Sequence, residues 1–207
     1  MIRVDKLLLR DFTVRADKTR RAHDLVEVAV AQKLMELEAL AEKELADLDS
    51  NHPLLEDLGY DHWAIQEEVP QVLRAALFMQ AYGLFEKYLN RVAEVSGENR
   101  SLLLRPTDLR DNGIQQSVTY LKRACGITVP TESSEWSTLL RLLELRNLFA
   151  HNRGMVRPGD KLVREFVAAH ATLIVIERNE IRLHQGFVPF AIDQMEMFGK
   201  LLNSVLD

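Results

Sequence analysis

Three residues whose side chains suit phosphate chemistry lie close together near the end of a helix predicted over 134–152. They are Arg146, Asn147 and His151, and the asparagine and the histidine, four residues apart, share one edge of the helix. An imidazole can move a proton to or from a ribose hydroxyl or a leaving oxygen near neutral pH. A guanidinium can hold the phosphate and stabilise developing charge, and an amide can orient either group. The set predicts a phosphodiester site; the alternative is that the histidine only caps the helix.

Arg146 also stands out because the helix places it within an apolar stripe. At about 100° per residue it lies about 20° from the centre of that stripe, which consists of Leu139, Leu142, Leu143, Phe149 and Ala150. A buried guanidinium is costly unless a carboxylate or phosphate meets it. Glu86 lies within or beside an apolar surface of the preceding helix, so we expect it to contact and support Arg146. The alternatives are that the Arg146 head group reaches solvent and that Glu86 only borders the interface.

Helices predominate among the elements that must position these residues. A long helix over about 18–49 is predicted by its Ala, Leu, Glu and Lys content, by the absence of Gly and Pro, and by one apolar stripe. Further helices are predicted over 54–67, over 70–95, from Thr107 or Asp108 to Ala124, from Ser133 or Ser134 to about Asn152–Gly154, over 158–170 and over 187–206. The stretch TLIVIERNEIRLH, with a polar break at Arg178-Asn179, predicts a β-hairpin. The predicted fold class is therefore mainly α, a helical bundle with a small hairpin near the C-terminus and a long N-terminal helix.

Composition limits the class of protein. The 207 residues are 47% apolar and 28% charged, which is typical of a globular protein. A single cysteine, Cys125, excludes a disulfide framework and a cysteine-cluster metal site, and it suits a reducing compartment. The sequence contains neither a signal-peptide pattern nor an apolar run of the length that a membrane span needs. We therefore expect a cytoplasmic protein that does not enter a membrane.

Charge is distributed unevenly along the chain. The 26 Lys and Arg against 31 Asp and Glu give a net charge of −5, which argues against a protein that binds nucleic acid along its whole length. Residues 24–68 have two Lys against thirteen Asp or Glu, whereas residues 100–164 have eleven Lys or Arg against six acids. Four basic residues that follow His151 could contact an RNA backbone: Arg153, Arg157, Lys161 and Arg164. The alternative is that these charges are solvated surface.

The stretch LRNLFAHNRG, which contains Arg146-Asn147-x3-His151, resembles the signature of the HEPN superfamily (higher eukaryotes and prokaryotes nucleotide-binding domains). The order of elements is similar as well, since a helix of the type ALFMQAYGLFEKYLN precedes a Trp-led helix that ends in RNLFAH. The later hairpin and last helix resemble one bacterial branch of the superfamily. The resemblance covers about residues 69–206, and it divides the chain into an N-terminal helical extension, 1–68, and a HEPN-like helical domain, 69–207.

The resemblance implies a helical bundle that forms a homodimer in which the motif-bearing helix ends face each other. In active members the two motifs form a composite, metal-independent endoribonuclease site. There His151 would act as general acid and base, Arg146 would bind the scissile phosphate, and Asn147 would position the groups. Attack by the 2′-hydroxyl would leave a cyclic phosphate. Many such proteins are toxins or phage-defence effectors, which implies an RNA substrate and a nucleotidyltransferase-like or other antitoxin as partner.

Other members of the superfamily have lost catalysis and serve as binding or assembly modules. The alternative to an enzyme is therefore an interaction protein in which Arg146 and His151 form a structural polar cluster at the dimer interface. The histidines have no short ligand spacing, and no Gly-rich phosphate loop is present. The sequence thus predicts no metal and no cofactor.

Overall fold

The computed structural model describes residues 4–45 and 53–206, with side chains described for 6–43 and 57–206. Within these residues the chain forms seven α-helices and one antiparallel hairpin. In chain order the elements are α1 (Val4–Leu45), α2 (Pro53–Trp63), a π-helical turn (Ala64–Glu68), α3 (Val69–Glu98), a 3-10 turn (Pro106–Asp108), α4 (Gly113–Arg123), α5 (Ser134–Asn152), α6 (Lys161–Ala169), β1 (Ile174–Glu177), β2 (Glu180–Leu183) and α7 (Phe187–Val205). The predicted class, mainly α with a hairpin near the C-terminus and a long N-terminal helix, is confirmed.

Helix α3 lies at the centre of the fold and packs against α1, α4, α5 and α7. Phe78, Tyr82 and Phe85 follow at three- or four-residue spacing, so they share one side of the helix, and all three are buried. The Phe78 ring meets Phe187 of α7 edge-on, with centroids 5.1 Å apart. Burial of aromatic rings is among the largest contributions to a core. This core holds the part of α3 that carries Glu86.

Helix α1 begins at Val4, so the prediction that the long helix starts near residue 18 is wrong. The first turns bury Phe12 and Ala16, four residues apart, and the Phe12 ring stacks on Tyr88 of α3 at a centroid distance of 5.4 Å. The β-branched pair Thr13-Val14 lowers the local helix preference in this stretch. Packing against α3 and α7 therefore decides the start of the helix.

The apolar stripe predicted for the later turns of α1 faces inward. Leu37 is buried, and four further members of the stripe are partly buried: Val26, Val30, Leu34 and Ala41. The predicted end at residues 46–49 lies outside the described residues. The division of the chain at residue 68 stays a prediction, although Phe12 and Ala16 join the same core cluster as α3 and α7.

Helices α2 and α3 are connected by the π-helical turn, so that residues 53–98 are continuously helical. The helices predicted over 54–67 and 70–95 are present, but the separation predicted between them is wrong. Pro70 lacks the N–H that an α-helix would pair with residue 66, which accounts for the wider register before it. At the other end α3 continues through Gly97, where a Cβ atom would collide with Tyr120 of α4. Glycine thus allows α4 to pack closely on the last turn of α3.

Helix α4 begins at Gly113, later than the predicted cap at Thr107 or Asp108. Asp108 does accept a backbone hydrogen bond, but its Oδ2 receives the Arg105 N–H at 2.7 Å and closes the short 3-10 turn. Gly113 then adopts a φ of +60°, which favours glycine. The end of α4 agrees with the prediction, and Gly126 beyond it has a φ of +67°.

Local signals determine both ends of α5. The Ser133 Oγ accepts the Trp136 N–H at 3.2 Å, which confirms the predicted cap. At the other end Arg153 and Gly154 have positive φ values of +53° and +78°, so the chain turns away after Asn152. The motif residues therefore occupy the last two turns of a well-terminated helix.

Helix α6 is shorter than the predicted 158–170. The Asp160 Oδ2 accepts the Arg157 N–H at 2.8 Å, and this hydrogen bond holds Pro158-Gly159 in a turn, so that the helix begins at Lys161. Asp160 thus closes a turn before the helix, and α6 lacks a side-chain cap at its first turn.

The predicted hairpin is confirmed. β1 and β2 pair antiparallel, and the two turn residues Arg178 and Asn179 have φ values of +51° and +66°, as a type I′ turn requires. The Val156 N–H donates to the Asn179 carbonyl at 2.8 Å, and the Ile181 N–H donates to the Gly154 carbonyl at 3.0 Å. The hairpin therefore fixes the direction in which the chain leaves α5. The last predicted helix, 187–206, is also confirmed as α7.

None of the helices in the described part of the chain is both long and apolar enough to cross a membrane.

Candidate functional site at the end of α5

The buried side of α5 winds around the helix. Its buried residues follow at three-residue spacing: Trp136, Leu139, Leu142, Leu145 and Leu148. Three residues advance the helix by about 300°, so each member lies about 60° behind the last. The stripe predicted around Leu139 is therefore wrong at the C-terminal end, where Ala150 is exposed and about a third (34%) of the Arg146 side chain is exposed. Arg146 lies at the border of the buried surface.

Arg146 makes two polar contacts among the described residues. Its Nη1 donates to the Asn147 Oδ1 at 3.0 Å, and its Nη2 lies 4.0 Å from the Glu86 Oε2. The predicted contact with Glu86 is confirmed, at the outer limit of an ion pair. A guanidinium has five N–H donors, so most of them are free to bind another group. A half-exposed pair at this distance contributes little to stability.

Glu86 lies between Arg146 and the start of α4. A Cβ atom at Gly113 would approach the Glu86 Oε1 to 2.9 Å, so the glycine leaves room for the carboxylate. The Tyr82 side chain, one turn earlier on α3, is fully buried, and its hydroxyl has no hydrogen-bond partner among the described residues. Burial raises the pKa of Tyr82, the negative charge of Glu86 raises it further, and the positive charge of Arg146 opposes them. The site thus includes a buried hydroxyl with no partner among the described residues. The spacing of Tyr82 along α3 indicates only that its ring belongs to the core.

His151 is exposed in the last turn of α5 and makes no hydrogen bond or ion pair with the described residues. It follows Arg146 by five positions, so the two side chains leave the helix about 140° apart, with Asn147 between them in angle. The structure brings Arg146 into contact with Asn147 and Glu86, and His151 makes no hydrogen bond or ion pair with any of the three. The predicted convergence of Arg146, Asn147 and His151 on one pocket stays a prediction.

The four basic residues after His151 lie in the loop after α5 and in α6. Arg153, Arg157 and Lys161 are exposed, whereas Arg164 is half-buried. The Arg164 Nη2 donates weakly to the Arg157 carbonyl at 3.5 Å and to the Asn179 Oδ1 at 3.4 Å. The Lys161 Nζ lies 3.6 Å from Glu165. These contacts are weak enough for the cations to exchange them for phosphate oxygens, but RNA binding by them stays a prediction.

A cavity between α5 and the first turn of α6 was not anticipated from the sequence. It has a volume of about 420 Å³, and its lining includes Glu144, Asn147, Leu148 and Lys161. The Glu144 Oε1 accepts a hydrogen bond from the Arg141 Nη1 at 2.6 Å, whereas its Oε2 is buried without a partner among the described residues. The available signal was the three-residue spacing of Glu144 and Asn147, which places both on one face of α5.

The described residues contain no group of three or more His, Cys, Asp or Glu side chains that could hold a metal ion. No family model, curated protein or solved structure gives a significant match to the chain. The geometry at the end of α5 is therefore the basis for a function.

Proposed function

We propose that this chain is a metal-independent endoribonuclease of the HEPN type, whose site is formed by Arg146, Asn147 and His151 from two copies. The proposal depends on one observation: the last two turns of α5 present a guanidinium and an imidazole that can both bind a ligand. A guanidinium with unused donors and an exposed imidazole, which has no partner within the described part of the chain, lie within about one and a half turns of each other. Both groups are available to a ligand, and both suit a phosphodiester.

In the proposed reaction, the Arg146 guanidinium binds the scissile phosphate and stabilises the charge that develops on it. The imidazole of His151 takes the proton from the ribose 2′-hydroxyl or supplies the proton to the departing 5′-oxygen. The 2′-oxygen forms a bond to phosphorus as the bond to the 5′-oxygen breaks, which leaves a 2′,3′-cyclic phosphate. Asn147 accepts a hydrogen bond from Arg146 and thereby orients it.

A second copy completes the proposed site. Because Arg146 and His151 leave one helix about 140° apart, the arginine of one copy and the histidine of its partner can meet one phosphate from opposite sides. Glu86 keeps Arg146 directed away from the core without neutralising it fully. The basic residues of α6 and of the loop before it would then follow the RNA backbone on either side of the scissile bond.

Cleavage of RNA in the presence of EDTA tests the activity. Purified wild-type protein is incubated with single-stranded and structured RNA beside His151→Ala and the matched control His184→Ala, which removes another exposed histidine. Wild type and the control should cleave and leave cyclic phosphate ends, whereas His151→Ala should lose about 10²-fold or more of the rate. Equal cleavage by wild type and His151→Ala would identify a contaminant and overturn the proposal.

Mixing two inactive variants tests the composite site. Arg146→Ala and His151→Ala are each inactive on this proposal, but a heterodimer retains the arginine of one copy and the histidine of the other. We expect cleavage to reappear when the two proteins are mixed and allowed to exchange subunits. A mixture that forms heterodimers and remains inactive would contradict a site shared between copies.

The second candidate is a non-catalytic interaction protein. The contacts of Arg146 with Asn147 and Glu86 favour it, because such a polar cluster could also stabilise a dimer interface. On this reading Arg146→Ala and His151→Ala each lower the melting temperature substantially, and neither wild type nor control cleaves RNA. A catalytic pair instead tolerates replacement with little loss of stability.

The cellular setting follows from the same proposal. A ribonuclease of this kind acts in the cytoplasm as a toxin or as an effector of phage defence, and a nucleotidyltransferase-like or other antitoxin restrains it. Co-expression supports this setting if an antitoxin encoded beside the gene relieves growth arrest by wild type and His151→Ala causes no arrest.

A further inference from the structure

The cavity between α5 and α6 has the size and the walls of a site for a planar, mostly apolar group. Its volume of about 420 Å³ falls in the range of small-molecule sites. Leu148, Leu162 and Val163 provide apolar surface on several sides. A nucleobase is such a group, since its faces stack on apolar side chains and its edges carry the polar atoms.

Asn147 connects this cavity to the phosphate site. Its Oδ1 accepts a hydrogen bond from the Arg146 Nη1 at 3.0 Å, and the same side chain lines the cavity. With its oxygen bound to the arginine, the amide nitrogen remains as a donor. A base in the cavity and a phosphate on Arg146 would therefore lie on either side of Asn147. The base and the phosphate of a single nucleotide can occupy these two positions.

Glu144 supplies the complementary acceptor. One carboxylate oxygen is bound by Arg141, and the other is inaccessible to solvent and has no partner among the described residues, although the side chain as a whole is 39% exposed. An acceptor in this position gains from a donor that reaches it. The terminal torsion of a glutamate rotates over a broad range, so the carboxylate can turn this oxygen toward a donor in the cavity, and the Arg141 side chain must follow to keep its hydrogen bond. A ligand that offers N–H groups at this place would satisfy it.

The charges around the cavity favour a base over a phosphate. Two carboxylates, those of Glu144 and Asp160, line it against the single cation of Lys161. Lys161 also lies 3.6 Å from Glu165, so its charge is partly compensated. Glu144 is itself paired with Arg141, so the lining offers an anion no excess of positive charge, whereas a neutral edge with N–H donors would be attracted to the carboxylate.

We propose that this cavity binds a guanine base of the RNA, next to the phosphate held by Arg146; the inference rests on the proposed ribonuclease function. Guanine places two N–H donors, at N1 and N2, beside the O6 acceptor on one edge. The Glu144 carboxylate accepts from the two donors, and the Asn147 amide donates to O6. Cytosine and adenine each present one amino group beside a bare ring nitrogen, and uracil places a carbonyl on either side of its N–H. Each of these would direct a lone pair toward the carboxylate.

Nucleotide binding to the full chain tests the base preference without any need for catalysis. GMP, AMP, CMP and UMP are titrated separately by calorimetry or NMR into wild type, into Glu144→Gln and into Glu42→Gln, a control that replaces an exposed glutamate of α1. Wild type and the control should bind GMP at least tenfold more tightly than the other three. Glu144→Gln should lose this preference, because an amide cannot accept from both donors with a full charge. Equal affinities for all four in wild type, or an unchanged preference in Glu144→Gln, would overturn the proposal.

A second variant separates loss of the site from loss of the fold. Leu162 is half exposed, so Leu162→Trp should fill the cavity while the melting temperature stays near that of wild type. It should lose GMP binding, and retained binding at wild-type affinity would place the nucleotide elsewhere.

Mapping of cleavage positions then separates the two proposals. Cleavage beside guanosine by wild type, and at relaxed positions by Glu144→Gln, supports both. Cleavage with no base preference would overturn the guanine site and leave the ribonuclease intact. Selective GMP binding without any RNA cleavage would instead overturn the ribonuclease and support the cavity as a guanine site.

Discussion

Two arginine–glutamate pairs connect α3 to a neighbouring helix, and they differ in burial and in hydrogen bonding. Arg74 of α3 binds Glu27 of α1 through two hydrogen bonds of 2.7 Å, and its Nη1 also donates to the Leu183 carbonyl at 2.9 Å. Arg146 of α5 only approaches Glu86 of α3, at 4.0 Å. The side chains of the first pair are 15% and 9% exposed, whereas both side chains of the second are 34% exposed.

The difference separates an arginine that is occupied from one that is available. The Arg74 guanidinium connects α1, α3 and β2, and the buried His23 Nε2 lies 3.3 Å from Glu27 without the geometry of a hydrogen bond. A bidentate, buried pair fixes the register of the elements it joins. A loose, half-exposed pair contributes little to the fold and leaves donors for a ligand. Burial and bond geometry, rather than residue type, therefore indicate which arginine is available to a ligand.

The largest expected effect is on stability, at the buried pair. Arg74→Ala leaves the Glu27 carboxylate buried without its partner, so we expect the free energy of unfolding to fall by about 3–5 kcal/mol. Urea denaturation monitored by circular dichroism measures it. The matched control is Arg91→Ala on the same helix, which breaks exposed pairs with Glu94 and Glu98 and should cost less than about 1 kcal/mol. Similar losses in the two variants would remove the distinction between the pairs.

Substitution in the half-exposed Arg146–Glu86 pair should affect RNA cleavage more than stability. Arg146→Ala should change the free energy of unfolding by less than about 1 kcal/mol, but it should lower the rate of RNA cleavage by about 10²-fold or more because the charge on the phosphate is no longer stabilised. Arg146→Lys keeps the positive charge but lacks the planar guanidinium, so its cleavage rate should lie between those of wild type and Arg146→Ala. A loss of stability as large as that of Arg74→Ala would assign Arg146 to the fold.

A smaller effect is expected where Glu86 meets α4. Gly113→Ala places a Cβ atom 2.9 Å from the Glu86 Oε1 at a residue with a φ of +60°, so the carboxylate must shift and the backbone is strained. Gly126→Ala is the control, because its φ is +67° but a Cβ there meets nothing within 4 Å. Both should lose about 1–2 kcal/mol of stability, and only Gly113→Ala should alter RNA affinity. Equal RNA affinities would show that the position of Glu86 does not matter to the site.

The smallest expected effect is at the buried phenol of Tyr82, one turn before Glu86 on α3. Tyr82→Phe removes a hydroxyl that has no hydrogen-bond partner among the described residues, so the free energy of unfolding at neutral pH should change by less than about 1 kcal/mol. Burial, and then the charge of Glu86, raise the pKa of Tyr82 above its ordinary value of 10.0 in the folded state. Above that pH the unfolded chain releases the proton and the folded chain keeps it, so wild type loses stability as the pH rises. Tyr82→Phe should lack this loss. Denaturation curves measured from pH 8 to 11 test it, and an equal dependence of the free energy of unfolding on pH in the two proteins would contradict it.

Features of the fold that depend on local chemistry could be predicted from the sequence. Ser133 caps α5 because its side chain and the amide three residues later are close along the chain. The turn at Arg178-Asn179 is recognisable from a polar break between a β-branched run and the alternating apolar residues Ile181 and Leu183. The start of α1 could not be found in this way, because it depends on the contact of Phe12 with Tyr88, which lies far along the chain.

In the candidate site, too, some features could be predicted from the sequence and others could not. A contact between Glu86 and Arg146 was predictable because both are charged residues at the border of apolar helix faces that must meet. The burial of α5 was misjudged, since a stripe read at a fixed angle assumes that the helix keeps one face to the core. The cavity beside Glu144 depends on the angle between α5 and α6, and spacing along one helix does not determine that angle.

The exposed methyl group of Ala150 has a steric consequence for the end of α5. Its direction from the helix axis lies between those of Arg146 and His151, about 40° from the first and 100° from the second, and it is the smallest side chain on that surface. Small residues allow another helix to approach closely. Alanine at this position therefore leaves the space between the directions of the guanidinium and the imidazole less filled than a larger residue would, and a bulky side chain there would occupy it.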